Sequence, residues 1–197
     1  MLLLCCGMML FGCADDNGRR KAEQQKTIVV TDSVGRKVEL PYPLERVAVC
    51  NVYNAELITA VGAIDKIVGV DNYIFKDQSG FKNRFNEAQV FGISQNAMNY
   101  EKLAELAPQA VIITGEGTWR DAQEMLDRFG IKVIVINSYY TDQFADNCRL
   151  IGRIFGREEQ AEELVNYFND KLAYIQKQLQ GVPRRSLYFE YRTLGKT

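Results

Sequence analysis

The sequence predicts an α/β fold in which a lobe, built as a sandwich around a parallel sheet, is followed by one long helix. Short apolar segments typical of strands alternate with helix-like segments between residues 46 and 155. That alternation is typical of a parallel sheet covered by helices on both faces. Residues 158–180 then carry apolar side chains at steps of three and four, which is the period of an amphipathic helix. The apolar positions of this helix are Ala161, Leu164, Phe168, Leu172, Ile175 and Leu179.

The first predicted element is a β-hairpin, in which residues 27–31 and 37–40 flank a turn. The strands of the sheet follow as short apolar runs. The helices between them are indicated by apolar periodicity and by the residues that cap or end them. The predicted strands are residues 46–50, 66–70, 89–91, 110–113 and 132–136, the helices are residues 54–61, 99–106, 119–129 and 142–155, and a last strand is residues 187–191.

Several single positions refine these boundaries. Asn54 and Thr141 are predicted N-caps, because short polar side chains at such positions accept hydrogen bonds from the first free N–H groups of a helix. Gly181 is predicted to end the long helix. Residues 71–88 show no clear period and are interpreted as an irregular excursion with room for a short helix.

The composition favours binding over catalysis. Of the 197 residues, 47% are hydrophobic and 25% are charged, and the net charge is -1, so nothing favours nucleic acid as a partner. The chain contains no histidine, the commonest general base and metal ligand. No nucleophile motif, catalytic carboxylate pair or complete phosphate-binding loop is present. We therefore expect a protein that is not an enzyme and that has no resident cofactor or metal.

The N-terminal residues are typical of an exported protein. Residues 1–13 are predicted to be a signal peptide that ends in a lipobox cysteine, Cys13, and residues 14–26 a flexible tether. The apolar stretch is shorter than the roughly 20 residues that cross a bilayer. An apolar leader with a chance cysteine is the alternative. The expected location is extracytoplasmic, on the cell membrane through a lipid anchor.

Two cysteines lie in the predicted lobe. Cys50 and Cys148 are far apart in sequence, and each is flanked by apolar residues. Buried free thiols are the favoured interpretation, with a disulfide as the alternative.

Polar and aromatic residues follow the predicted strands. In open α/β sheets, ligands bind in the crevice at the carboxyl ends of the strands. Aromatic side chains supply contact area there, and amides and hydroxyls supply hydrogen bonds, so these loops predict a cleft for a small molecule. Capping of the sheet edge is the structural alternative for any one aromatic. The candidate ligand-binding residues are Asn51, Tyr53, Asn54, Tyr73, Trp119, Tyr139 and Tyr140.

The order and spacing of many short segments resemble one family, the class III substrate-binding proteins of ABC importers for iron complexes, haem and cobalamin. No single segment is decisive, but the resemblance extends over residues 27–191. The matching segments are residues 31–36, 38–41, 45–47, 54–57, 61–63, 67–70, 99–103, 106–108, 110–113, 129–133 and 151–157.

The resemblance implies a domain organisation. Two α/β lobes are joined by one long helix in that family, and the ligand lies between them. Residues 27–156 would then be the N-terminal lobe, 157–182 the linking helix and 183–197 the start of a C-terminal lobe. We expect the remainder of that second lobe to be missing from this chain, and with it about half of the ligand contacts.

The resemblance also implies partners. A monomeric, lipid-anchored protein would capture an iron complex of siderophore type and deliver it to an ABC importer, docking on the permease through Glu101. An ordinary first-turn carboxylate, favoured by the helix dipole, is the alternative interpretation of Glu101. Cobalamin or haem is the alternative ligand, and a chelatase-like tetrapyrrole or metal enzyme is the alternative activity.

Overall fold

A computed structural model describes residues 26–77 and 79–188 of the protein. The predicted signal peptide, Cys13, all of the tether except residue 26, and residues 189–197 lie outside this range. The described elements begin with an antiparallel hairpin of β1 (Thr27–Thr31) and β2 (Lys37–Pro41), as predicted. Its turn is held by the buried Asp32, whose carboxylate accepts hydrogen bonds from the backbone N–H groups of Val34 and Arg36 and forms an ion pair with the Arg36 guanidinium.

Five parallel strands form the central sheet. They are β3 (Val47–Val49), β4 (Ile67–Asp71), β5 (Val90–Gly92), β6 (Ala110–Ile113) and β7 (Lys132–Val135). Their order in the sheet is β5-β4-β3-β6-β7. The chain therefore runs outwards from β3 to β5, returns, and continues on the other side of β3. This order places a topological switch point between β3 and β6, where open α/β sheets bind their ligands.

The described residues form six α-helices beside the sheet. They are α1 (Val52–Ala60), α2 (Asn72–Lys76), α3 (Tyr100–Glu105), α4 (Trp119–Asp127), α5 (Phe144–Phe155) and α6 (Glu158–Gln178). Successive residues of a strand point to opposite faces, so Val47 and Val49 pack in one core layer and Ala48 and Cys50 in the other. Both layers are buried, which explains why the strands are apolar apart from Asp71 at the end of β4 and Lys132 at the start of β7.

Both predicted caps are wrong. Helix α1 begins at Val52, and its N-cap is Asn51, whose side-chain oxygen accepts a hydrogen bond from the backbone N–H of Tyr53. Asn54 is instead buried within the helix. Thr141 begins a short 3₁₀ turn, and α5 begins only at Phe144. The short helix expected within residues 71–88 is present as α2.

Helix α6 has 21 residues and is therefore roughly 32 Å long, in agreement with the predicted long helix. Only its first half packs on the lobe. Ala161 and Val165 are buried, and the ring of Phe168 stacks on that of Phe144 with 4.2 Å between centroids. The predicted apolar face does not stay buried beyond this point, because the helix extends past the lobe. The last three residues of the predicted apolar face are at least 42% exposed: Leu172, Ile175 and Leu179.

The end of the described chain differs from the prediction. Gly181, at φ 77°, adopts the left-handed conformation expected of a residue that ends a helix. Leu187 and Tyr188 are not part of a strand in the described residues, and their side chains are 89% and 84% exposed. The remaining residues of the predicted strand lie outside the described range.

Both lobe cysteines are buried free thiols, as expected. Burial raises the pKa of the Cys50 thiol well above its ordinary value, and the nearby Asp71 carboxylate raises it further. Burial likewise raises the pKa of Cys148 to about 11. Both side chains therefore remain protonated at neutral pH and act as small apolar residues of the core.

Candidate ligand-binding cleft

A cleft of about 650 Å³ lies at the carboxyl ends of four strands. It is bounded by the loop after β3, by the end of β4, by the segment after β5 and by the loop after β6. This is the position that the switch point between β3 and β6 predicts. The lining residues are Asn51, Val52, Tyr53, Glu56, Asp71, Tyr73, Ser94, Gln95, Asn96, Thr114, Glu116 and Gly117.

The end of β4 supplies a rigid floor to the cleft. The carboxylate of Asp71 is 2% exposed and accepts hydrogen bonds from the backbone N–H groups of Asn51, at 3.1 Å, and of Ile74, at 2.9 Å. Asn51 itself adopts a left-handed conformation at φ 77°. Burial raises the pKa of Asp71, although these backbone hydrogen bonds oppose the shift. Asp71 therefore joins the loop after β3 to the start of α2.

The segment after β5 folds back over the edge of the sheet. Gly92 forms an antiparallel bridge with Met98, and a β-carbon at Gly92 would lie 2.5 Å from the carbonyl oxygen of Ala97. Only glycine permits this close approach. The fold-back brings Gln95 to Thr114, whose backbone N–H and hydroxyl both donate to the Gln95 side-chain oxygen, at 3.0 and 2.8 Å. The two loops thus form one connected wall.

The far side of this wall carries a carboxylate and two adjacent phenol rings, whose planes are tilted by 43°. The hydroxyl of Tyr139 donates a hydrogen bond to Oε1 of Glu116 at 2.7 Å. The Tyr139 and Tyr140 rings lie 4.2 Å apart between centroids. Partial burial, together with hydrogen bonds to Tyr140 and Glu116, raises the pKa of Tyr139. Tyr139 is therefore protonated at neutral pH, and its hydroxyl orients the Glu116 side chain by donating a hydrogen bond to it.

The structure divides the predicted ligand-binding residues into three groups. Asn51, Tyr53 and Tyr73 line the cleft, and the two tyrosines are 54% and 62% exposed. Tyr139 and Tyr140 lie beside the cleft through the contact with Glu116. The other two predicted residues, Asn54 and Trp119, do not line it.

Asn54 and Trp119 have structural environments instead. Asn54 is fully buried, and its side chain accepts a hydrogen bond from the hydroxyl of Ser138 and donates one to the carbonyl of Cys50. Trp119 is 8% exposed, and the guanidinium groups of Arg36 and Arg120 lie 4.3 and 4.1 Å from its ring centre. Trp119 was predicted to line the cleft because it follows a strand in sequence. The first turn of α4 directs its ring into the core instead.

Sequence reasoning had not singled out several lining residues, notably Gln95, Asn96 and Glu116. They lie in loops that were recognised as strand-end segments, but loop polarity does not tell which side chains face a cleft. Gly92 and Gly117 are the features of the sequence that could have indicated these loops, since isolated glycines mark positions where another part of the chain approaches the backbone closely. A β-carbon at Gly117 would lie 2.4 Å from the Asn96 side chain.

Glu101 lies apart from the cleft, at the start of α3. It is exposed in the first turn of this helix, which Asn99 caps by accepting from the backbone N–H of Lys102. Within the described part of the chain, no ion pair or hydrogen bond engages its carboxylate. Its assignment as a docking residue stays a prediction.

No helix in residues 26–77 and 79–188 combines the length and apolar character of a membrane span. The same residues contain no group of three or more histidine, cysteine, aspartate or glutamate side chains that would hold a metal ion.

An α/β lobe with an open cleft at its switch point is typical of proteins that bind small solutes. The sequence matches the family model of the periplasmic binding proteins over residues 47–192. The chain therefore belongs to the periplasmic binding protein family, whose members are binding proteins rather than enzymes and whose location is extracytoplasmic. The chelatase-like alternative is set aside. No curated protein sequence matches the chain.

Solved structures agree with this assignment. A periplasmic solute binding protein from Veillonella parvula is 28% identical, with a TM-score of 0.66, over 80% of this chain and 50% of that protein. The petrobactin-binding protein YclQ from Bacillus subtilis is 18% identical, with a TM-score of 0.67, over 79% of this chain and 54% of its own length. The molybdate-binding protein MolA from Haemophilus influenzae is 22% identical, with a TM-score of 0.67, over 79% and 55%. The last two show a shared fold. This chain spans about half the length of these proteins.

Proposed function

We propose that the protein is the extracytoplasmic solute-binding component of an ABC importer, and that its solute is an iron complex of siderophore type. The cleft carries this proposal. It has the size and composition of a small-molecule site, with two exposed tyrosines at its mouth and amide and hydroxyl groups on its floor. A lipid anchor at Cys13 and delivery to a permease and its ATPase are parts of the same proposal.

Membership of the periplasmic binding protein family supports the importer, and the aromatic character of the cleft supports a bulky chelate. Tyr53 and Tyr73 are the exposed aromatic side chains that line the cleft. Aromatic side chains in contact with a flat or apolar ligand surface contribute about 1 kcal/mol each beyond the area that they bury. Cobalamin and haem share that surface character, so they belong in the test as competing solutes.

The test is calorimetric titration of the purified full-length protein, including the C-terminal lobe that the family resemblance implies, with ferric siderophores of different classes, haem and cobalamin. Tyr53→Ala and Tyr73→Ala are each expected to raise the Kd of the bound solute about tenfold, equivalent to about 1.4 kcal/mol. Tyr167 on α6 is similarly exposed and does not line the cleft, so Tyr167→Ala is the matched control with unchanged affinity. If only haem or cobalamin binds, that compound is the solute and the iron complex is not. If none of these compounds binds, the proposal is contradicted.

Docking on the importer is tested through Glu101. Glu101→Arg is expected to leave solute affinity unchanged and to reduce stimulation of the importer's ATPase at least about tenfold, because a reversed charge meets like charges across a complementary interface. Glu124 on α4 is another exposed glutamate, and Glu124→Arg is the control for charge reversal elsewhere on the surface. Equal stimulation of the ATPase by both variants would show that Glu101 does not lie in the interface with the importer.

A further inference from the structure

The charges that line the cleft all have the same sign. Three of its residues are carboxylates, Glu56, Asp71 and Glu116, and within the described part of the chain no lysine or arginine lines it. The nearby arginine of the hairpin, Arg36, is engaged with Asp32 and with the Trp119 ring. This wall of the cleft therefore has no cation with which to bind an anionic solute.

Only two of the three carboxylates are available to a solute. Asp71 is buried and accepts backbone hydrogen bonds on both oxygens. Glu56 and Glu116 are exposed. Glu56 lies one turn after Tyr53 on α1, so the two side chains share a face of that helix. No described residue forms a hydrogen bond or ion pair with Glu56.

Glu116 is held in a defined position. Tyr139 donates to its Oε1 at 2.7 Å, and the side-chain amide of Gln95 donates to its backbone carbonyl. A carboxylate accepts about four hydrogen bonds in total, so Oε2 remains available to a donor on the solute.

The exposed tyrosines add to this preference. The faces of aromatic rings carry partial negative charge and attract ammonium and guanidinium groups. Tyr53 and Tyr73 lie in the same cleft as Glu56 and Glu116. Carboxylates and aromatic faces together favour a positively charged group and disfavour an anionic one.

We propose that Glu56 and Glu116 are specificity-determining residues, which select an iron complex that presents a positively charged group to this lobe and reject anionic complexes. This inference rests on the proposed function and names the charge class of its solute. An iron complex whose donors only balance the charge of the ferric ion, such as a trihydroxamate, and that carries a free ammonium group fits the wall. An iron complex with a net negative charge meets two carboxylates of like charge.

The decisive experiment compares three probes in calorimetric titrations of the same full-length protein. They are a ferric trihydroxamate with a free ammonium group, the same complex with that amine acetylated and hence uncharged, and an anionic ferric tricatecholate. The ammonium complex is expected to bind about 2- to 5-fold more tightly than its acetylated form, a range typical of exposed charge pairs. The anionic complex is expected to bind most weakly. The ratio between the first two is expected to shrink at high salt, since mobile ions screen exposed charges.

Isosteric variants test whether Glu56 and Glu116 cause the preference for the ammonium complex. Glu56→Gln and Glu116→Gln are each expected to reduce the preference for the ammonium complex, and the double variant is expected to bring the two trihydroxamates to equal affinity. Glu124→Gln on α4 changes the net charge equally and is expected to leave the ratio unchanged. Glutamine at 116 can still accept the Tyr139 hydrogen bond, which limits any effect to charge.

The outcomes separate the two proposals. Binding of the trihydroxamates with equal affinity, tighter binding of the tricatecholate, or a ratio that the glutamate variants leave unchanged would overturn the charge selection and leave the proposed function intact. A protein that binds none of the three complexes would overturn both.

Discussion

Replacing Asp32 by alanine is expected to lower the free energy of unfolding by about 3 kcal/mol or more, because the substitution leaves buried donors without a partner. Asp32 is 5% exposed and is the centre of the hairpin turn. Its Oδ1 accepts from the backbone N–H groups of Val34 and Arg36 at 3.2 and 2.9 Å. Its Oδ2 accepts from the Arg36 guanidinium at 2.6 Å and from the backbone N–H of Val135 at 3.3 Å.

These contacts join the hairpin to the sheet. Val135 belongs to β7, and the Arg36 guanidinium continues to the Trp119 ring. Loss of the carboxylate therefore affects the turn, the edge of the sheet and the first turn of α4 together. The measurement is urea unfolding followed by circular dichroism, in which the midpoint falls at unchanged slope.

Two companion variants make this result specific. Glu39 on the same hairpin is exposed, and the only hydrogen bond that its side chain forms within the described residues comes from the Thr27 hydroxyl at 2.9 Å. Glu39→Ala is expected to change stability by less than about 0.5 kcal/mol. The double variant Asp32→Ala/Arg36→Ala is expected to cost less than the sum of its single changes, because the two side chains interact directly. A stability of Asp32→Ala within about 0.5 kcal/mol of the parent would contradict the assignment.

Replacing Gly152 by alanine is expected to destabilise the chain by about 1–3 kcal/mol through overpacking at the contact between α5 and α6. A β-carbon at Gly152 would lie 2.4 Å from that of Ala161 and 2.9 Å from the carbonyl oxygen of Arg157. The backbone N–H of Arg157 also donates to the carbonyl of Gly152 at 2.7 Å, so the turn has little room to move. The loss is expected even though alanine favours helices over glycine by about 1 kcal/mol.

A swap of side chains provides the control. In Gly152→Ala/Ala161→Gly the methyl group moves to the opposite helix, so the close contact between the two β-carbons disappears. This double variant is expected to unfold at a higher urea concentration than Gly152→Ala alone. A Gly152→Ala chain as stable as the parent would mean that α6 is free to shift on the lobe, and would contradict tight anchoring of its first half.

Parts of the fold that are buried on both faces were predictable from the sequence. Strand β6 was predicted with its observed ends, because four apolar residues lie between a proline segment and a polar loop. The hairpin was predictable from a different pattern, because residues that favour β-strands lie on both sides of a turn. Helix starts were less predictable. Asn51 and Asn54 are chemically equivalent capping residues, and the left-handed backbone of Asn51 distinguishes them only in the folded chain.

The cleft was predictable in location and only partly in composition. The rule that ligands bind at the carboxyl ends of parallel strands pointed to the correct loops, and Asn51, Tyr53 and Tyr73 lie in the cleft. Trp119 follows the same rule in sequence, yet its ring is covered by Arg36 from the distant hairpin. Such long-range contacts leave no local pattern in the sequence.

The sequence by itself determined the α/β class, the order of strands and helices and the long final helix, because these depend on the local periodicity of apolar residues. Only the tertiary structure decided which half of α6 is buried, since that depends on how far the lobe extends beneath it. Only the tertiary structure brought Glu56 and Glu116 to one cleft that no lysine or arginine of the described residues lines, because the two glutamates lie on different elements of the chain. The charge of the expected solute follows from that arrangement.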